Sequence, residues 1–418
     1  MLDINLIRTN PELVKKGISA KNAKPKLVDD FLALDEEWRK LTKETDDLRA
    51  QQKKLSDERK IAEATELKYK IQSLEGDLKK IEKNRGEILW QMPNLPLEDV
   101  PVGKDESENV VIKEVGEIPK FDFQPKDYLE LAEKLDLIDV ERAAKISGSR
   151  FGYLKNQAAL LEFGLVKLAM DMAIKEGFMP VIPPVMVKNE MMKAMGYVDQ
   201  EKDKDETYFL EKDDLYLVGT SEQSIGPMYS DEIFNEKDLP KRYAAFSTCF
   251  RREAGSYGKD TKGILRVHQF DKVEMFSFCE PEKSKEEHKL LLSIEEKLMQ
   301  ALELPYRILQ ICTGDLGVPA AAKFDIEVWI PSENKYRETH STSSCTDFQA
   351  RRLNIRYRGS SSIVHSPSFV HTLNGTAFAI GRMIIAILEN NQQKDGSILV
   401  PKVLQKYLGF KKIDSQSL

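Results

Sequence analysis

Residues 250–274 read FRREAGSYGKDTKGILRVHQFDKVE. Strand-like runs flank the polar middle: AAFSTCF (244–250) before it and HQFDKVEMFSF (268–278) within and after it. Alternation in those runs, with Gly255, Gly258 and Gly263 between them, predicts an antiparallel hairpin carrying a long mobile loop. Arg251 and Glu253 stand where the first strand ends, and their two-residue spacing puts both on one face. A guanidinium is a planar fork that suits a phosphate. Such a hairpin can hold a nucleotide triphosphate without a Walker loop, and no GxxxxGK[ST] occurs in the sequence. P-loop and Rossmann architectures are thereby set aside.

Outward from the hairpin, more strand-like runs follow: LYLVGT (215–220), YRILQIC (306–312), FDIEVWI (324–330) and FVHTLNG (369–375). Helical spacing marks AALLEFGLVKLAMDMAIKEGF, with Gly177 as its stop, and the stretches KEEHKLLLSIEEKLMQAL and FAIGRMIIAILEN. Between the first helix and LYLVGT, MPVIPPVMV reads as a short strand holding Pro183 and Pro184. Helices between only some of the strands predict an α+β domain on a largely antiparallel sheet.

Residues 27–91 have a different grammar. Leu27, Phe31, Leu34, Trp38, Leu41, Leu48 and Leu55, with Thr45 and Gln52 in the remaining steps, alternate spacings of four and three. That is a heptad seam, and it resumes at Leu67, Ile71, Leu74, Leu78, Ile81 and Ile88. The pattern slips in SDERKIAEAT, which predicts two limbs folded back as an antiparallel helical hairpin. Residues 31–90 hold 14 basic and 14 acidic residues, so the arm is neutral. Periodicity alone would equally suit a dimerisation coiled coil or a solvated spacer. Pro93, Pro96 and Pro101 end the arm. The expected division is 1–104 for the arm-bearing domain, 105–155 for a charged connector and 156–418 for the compact α+β domain.

The 418 residues carry a net charge of −6, which argues weakly against nucleic-acid binding, so any RNA contact must use local patches. Cys249, Cys279, Cys312 and Cys345 are far apart, and read as reduced, buried thiols. No signal pattern opens the sequence and no run approaches a membrane-spanning length, which points to the cytoplasm and to no membrane partner.

The motifs together resemble the seryl-tRNA synthetases of the common bacterial type, within the class II aminoacyl-tRNA synthetases. Motif 1 resembles the helix from Leu160 into GFMPVIPP, with Pro184 as its signature proline. Motif 2 resembles FRREAGS…LRVHQFDKVE, and motif 3 resembles LNGTAFAIGRMIIAILEN with Arg382 as its arginine. VGTSE and DFQARRLNIRYR are the serine-specific pieces. The resemblance implies ATP and L-serine as substrates, Mg²⁺ as the ion, and tRNA(Ser) as acceptor, with tRNA(Sec) as a second candidate. It also implies a homodimer built on motif 1.

The resemblance implies the following site. Arg251 and Arg382 are catalytic; Arg251 holds the α-phosphate and the serine carboxylate, and Arg382 faces the γ-phosphate. Thr220, Ser221, Glu222, Glu274 and Thr376 surround the serine. Arg252, Glu253, Phe270, Thr339 and His340 complete the ATP site, with Glu253 at the adenine amino group and Phe270 under the ring. Glu338 and Ser341 hold Mg²⁺, an ion that demands oxygen ligands. The string ETHSTSSC departs from the usual EISSCSNC at Thr339, His340 and Ser344, while the two magnesium positions survive. His340 is read as neutral, since no Cys/His cluster has zinc-ligand spacing; His268 is read as structural or phosphate-adjacent. The resemblance gives the arm to the long variable arm of the tRNA, with Lys53, Lys54, Arg59, Lys60 and Lys68 as contacts, on a tip somewhat shorter than in many relatives. Two rivals stand beside this reading: an arm-less relative that loads carrier proteins, opposed by residues 27–91, and a degenerate synthetase-like scaffold, opposed by Arg251, Glu338 and Arg382.

Overall fold

The computed structural model of the chain describes residues 1–198, 205–254, 262–359 and 367–415. They form two compact units, Met1–Leu95 and Pro96–Leu418. Gly255 and Gly258, placed above in a mobile loop, lie outside the described residues.

In the first unit, short helices α1 (Ile4–Thr9) and α2 (Pro11–Ala20) precede two long ones, α3 (Lys26–Asp57) and α4 (Ile61–Gln91). The long pair is antiparallel: Asp35 meets Arg85 near the root, and Gln52 meets the Ala64 carbonyl near the turn. The reversal takes three residues. Arg59 adopts φ 59°, and the Lys60 N–H donates back to the Leu55 carbonyl at 2.9 Å, a left-handed helix stop. It falls inside SDERKIAEAT, where the heptads slip. Phe31, Leu48, Ile71 and Ile81 are buried along the seam. Asp35 interrupts it, fully buried. Its carboxylate accepts twice from Arg8 at 2.8 Å and once from Arg85 at 2.7 Å, with Arg39 at 3.2 Å. Burial would raise this carboxyl, but Arg8 and then Arg85 hold it below its usual range.

The second unit is built on an eight-stranded sheet. Its strands are β1 (Val110–Val115), β2 (Met179–Val181), β3 (Lys241–Phe250), β4 (Gln269–Cys279), β5 (Tyr306–Gln310), β6 (Ala322–Ile330), β7 (Lys335–Ser344) and β8 (His371–Ala379). They lie in the order β1-β5-β6-β7-β8-β4-β3-β2, antiparallel throughout except for β2 against β3. The β3–β4 hairpin is the one expected from residues 244–278, with Phe250 opposite Gln269. Five helices matter to the site: α5 (Tyr128–Lys134), α6 (Asn156–Lys175), α7 (Glu222–Ile225), α8 (Ser284–Ala301) and α9 (Ile380–Asn390). Gly177, at φ 86°, follows the end of α6 as its spacing implied. Leu161 and Leu165 of α6, Leu291 and Ile294 of α8, and Ile384 of α9 share one apolar cluster with Val273, Met275, Ile326 and Val328 of the sheet. Alternate residues of those strands point the other way, into a cleft.

Three features differ from the expectations. The run read as one short strand holding Pro183 and Pro184 is split: β2 ends at Val181, both prolines lie outside any strand, and Met186–Lys188 pairs in a separate three-stranded sheet. Strand β7 was not among the runs read as strands, although it lies in the middle of the sheet. Its residues, KYRETHSTSS, lack apolar alternation because one face lines the cleft and hydroxyls serve the other. Thr342 Oγ1, for example, donates to the Asn374 carbonyl at 3.0 Å. The stretch read as a connector is integral to the second unit: β1 pairs with β5, and Tyr128, Leu131, Leu135 and Leu137 join the main core. Its elements are short, so their periodicity does not rise above the surrounding charge.

Candidate active site

Two bulges decide which side chains share the cleft. On β4, simple alternation turns Phe270, Lys272 and Glu274 inward and Val273 and Met275 toward the helices. A register shift at Val273/Glu274 sets Thr376 of β8 opposite Glu274. On β7, Glu338 and Ser341 are three apart, which in a regular strand would send them to opposite faces. The pairing shifts there, with Ile326 opposite His340 but Glu327 opposite Glu338, leaving Thr339 as an extra residue. The bulge returns both oxygen donors to the cleft, whose volume is about 720 Å³.

The acidic end of the cleft gathers Thr220, Glu222, Lys272, Glu274, Asn374 and Thr376. The Lys272 ammonium pairs with Glu274 and donates to Thr220 Oγ1 at 3.2 Å; Thr220 in turn donates to Glu274 Oε2 at 3.3 Å. Glu222, presented by α7, is buried, and its Oε2 has no hydrogen-bond partner. Burial, with Glu274 adding to it, pushes the Glu222 carboxyl up to about 8 against the pull of Lys272 and Arg251.

The middle is cationic. Arg251 leaves the end of β3, donates Nε–H to the Gly219 carbonyl at 3.1 Å, and sets its guanidinium 5.3 Å from the Phe270 ring centre. Arg382, the third residue of α9, donates to the Glu338 carbonyl at 2.8 Å and lies 3.4 Å from its carboxylate. Desolvation within the cleft would raise Glu338, whose side chain is still 45% exposed, but Arg382, Lys323, Arg251 and Lys272 outweigh it and hold the carboxyl at about 2. Lys323 of β6 pairs with Asp325 at 3.0 Å. At the far end, Glu253 sits at φ 54° and its carboxylate accepts from Arg266 at 2.9 Å.

Thr220, Glu222, Arg251, Glu253, Phe270, Glu274, Glu338, Thr339, Ser341, Thr376 and Arg382 therefore line one cleft. Three expected site residues stand outside its lining. Ser221 is fully buried in the turn that starts α7. Arg252 sets its guanidinium 5.6 Å from the Tyr208 ring centre, and its backbone N–H donates to the Glu206 carbonyl at 2.9 Å. His340 packs its ring against Phe378, with Nδ1 2.8 Å from Thr339 Oγ1; burial depresses it to about 3, so it is neutral, as its lack of metal-binding company suggested. His268 Nδ1 lies 3.0 Å from the Arg251 carbonyl, tying the hairpin's two ends.

Sequence reasoning missed Lys272, Lys323, Asn374 and Glu295. Lys272 shares a period of two with Phe270 and Glu274, so naming those two implied it. Lys323 and Asp325 show the same spacing on β6. Glu295 falls at i+4 from Leu291 in the apolar stripe of α8. It is fully buried with both carboxyl oxygens unpartnered, and burial, then Glu274, raises it well above the usual range. A Cβ on Gly375 would lie 3.0 Å from Glu295 Oε1, so the missing side chain there makes room for the acid beneath the cleft.

Residues 1–96 match the model of the seryl-tRNA synthetase N-terminal domain. Residues 207–391 match that of the tRNA synthetase class II core domain (G, H, P, S and T). The serine–tRNA ligase of Dictyoglomus turgidum is 48% identical over 99% of both chains. Among solved structures, seryl-tRNA synthetase from Pyrococcus horikoshii complexed with ATP superposes with a TM-score of 0.93 at 44% identity, covering 99% of each chain. The cytoplasmic serine–tRNA ligase from Naegleria fowleri in complex with AMP gives 0.91 at 35% identity, covering 100% of this chain and 99% of that one. With both units matched and relatives aligned end to end, the chain belongs to the seryl-tRNA synthetase family.

Proposed function

We propose that the chain activates L-serine with ATP to seryl-adenylate and transfers the seryl group to the 3′ end of tRNA(Ser), with tRNA(Sec) as a second acceptor. The observation that carries this is the single cleft in which Thr220, Glu222 and Glu274 stand beside Arg251 and Arg382. Glu274 and Glu222 take the serine ammonium and hydroxyl, and Thr220 and Thr376 add hydroxyls. A pocket that hydrogen-bonds a substrate hydroxyl rejects alanine, because its polar groups would be left unpaired. Arg251 bridges the serine carboxylate and the α-phosphate, so both reactants meet in line. Arg382 draws charge toward the leaving pyrophosphate, and Phe270 and Glu253 hold the adenine. No protein nucleophile is required: positioning and fixed positive charge lower the barrier.

The donors fit Mg²⁺. Glu338 offers a carboxylate, Ser341 a hydroxyl, and Asp325 Oδ1 is a buried oxygen with no hydrogen-bond partner. Among the described residues no group of three or more His, Cys, Asp or Glu could hold a metal. Mg²⁺ usually keeps only one or two protein ligands and fills the rest with water and phosphate. When bound, Mg²⁺ supplies charge neutralisation across the phosphates.

We assign residues 1–104, through the arm at about 27–91, to tRNA docking, and 156–418 to catalysis. Leu160, Phe163, Met179 and Ile182 leave large apolar surfaces exposed along α6 and β2, which supports a homodimer through that face. A sedimentation mass of one chain would contradict it. Among the described residues no helix is long and apolar enough to cross a membrane. The four cysteines are free and buried, in keeping with a cytoplasmic site of action. Charging assays test the whole reading: serine, ATP and tRNA(Ser) yield seryl-tRNA, and absence of product with active tRNA contradicts it.

A further inference from the structure

We infer that the Lys272 ammonium is an internal competitor of the substrate ammonium, and that serine binding drives it from Glu274 toward the phosphate half of the cleft. This rests on the serine-activating reading above. Lys272 is buried on the cleft face of β4, with a side chain 10% exposed. Its Nζ is paired with Glu274 and bonded to Thr220 Oγ1 at 3.2 Å. Those are two of the acceptors that the pocket offers an amino acid's α-ammonium. A lysine ammonium and an α-ammonium carry the same charge and the same three donors. Both cannot use Glu274 Oε2 and Thr220 Oγ1 together without setting two cations side by side in a buried site.

Lys272 has somewhere to go. A four-carbon stem with free torsions carries its charge. It lines the same cleft as Arg251, Glu338 and Arg382. Swung off Glu274, the ammonium joins Arg251 where the α-phosphate is to lie. Serine arrival then adds a cation to the phosphate half, and a nucleotide that captures Lys272 frees Glu274 for serine. The two substrates assist one another, and by linkage each does so by the same factor. The alternative, a fixed counterion that only orients Glu274, predicts the opposite sign on removal.

Calorimetric titration of the full chain with L-serine reads that sign. Without nucleotide, Lys272→Met should bind serine about 5-fold tighter than the unsubstituted chain, since the site no longer has to release its own ligand. A non-hydrolysable ATP analogue with Mg²⁺ should tighten serine binding to the unsubstituted chain and leave Lys272→Met unmoved. Weaker or equal serine binding by Lys272→Met overturns the competition. A crystal structure of the unsubstituted chain with serine decides the case if the variant does not fold: Lys272 Nζ displaced from Glu274 supports the exchange, and a retained pair overturns it. Failure of the unsubstituted chain to bind serine, with or without the analogue, would instead sink the serine reading itself.

Discussion

Arg251 joins the two halves of the cleft, and the hydrogen bond that its side chain makes among the described residues, Nε–H to the Gly219 carbonyl, is modest in worth, roughly 1 kcal/mol. In the proposed reaction its guanidinium faces the charge that develops on the α-phosphate. Arg251→Ala should therefore lower serine activation by about 100-fold or more while the thermal unfolding transition stays close to that of the unsubstituted chain. Unchanged activation would remove Arg251 from the chemistry. Glu222 gives a pH test. Its carboxyl, raised to about 8 by burial and Glu274, carries a proton at neutral pH. An arriving ammonium favours the ionised form, lowers that value and releases the proton. Serine affinity should then climb with pH toward about 8 and level off above it, and Glu222→Gln should flatten the climb. A pH-independent affinity in the unsubstituted chain contradicts the contact. At this scale the sequence was legible wherever a motif or an alternation named the residue, as for Phe270 and Glu274. Lys272 was overlooked although the same alternation marks it. Ser221 and Arg252 adjoin cleft residues in sequence but turn away; the alternation that pairs Arg251 with Glu253 implied this for Arg252, whereas the tight turn at Ser221 follows no period.

At the scale of elements, β7 carries the lesson. Its inward pair, Glu338 and Ser341, depends on the bulge at Thr339 and not on periodicity, so a strand made of Ser, Thr and charge gives no apolar signal to read. The hairpin β3–β4 and the arm were legible because both repeat cleanly, at periods of two and three and a half. The arm was legible down to its turn at Arg59, but not in Asp35, a buried acid one step from seam position Leu34. The arm and the cleft lie in separate compact units, each with its own buried residues. Excising residues 30–90 should leave ATP–pyrophosphate exchange within about twofold and reduce tRNA charging by about 100-fold or more, the scale expected when a multi-contact nucleic-acid surface is lost. Normal charging by the shortened chain would contradict the role given to the arm.

For the whole molecule, the α+β class and the helical arm followed from patterning, whereas the place of residues 105–155 did not. That segment enters the core through a few residues, Tyr128 and Leu131 among them, which share one apolar cluster with residues as far off in the chain as Leu388. Long-range burial of this kind leaves no local period. What unites both scales of evidence is the claim that one cleft selects serine and activates it with ATP. The direct test is exchange of labelled pyrophosphate into ATP by the purified full-length chain with Mg²⁺, offered each standard amino acid in turn. Exchange with serine alone, and none with alanine or threonine, is the predicted result; no exchange with any amino acid, or exchange driven by a different one, would contradict it.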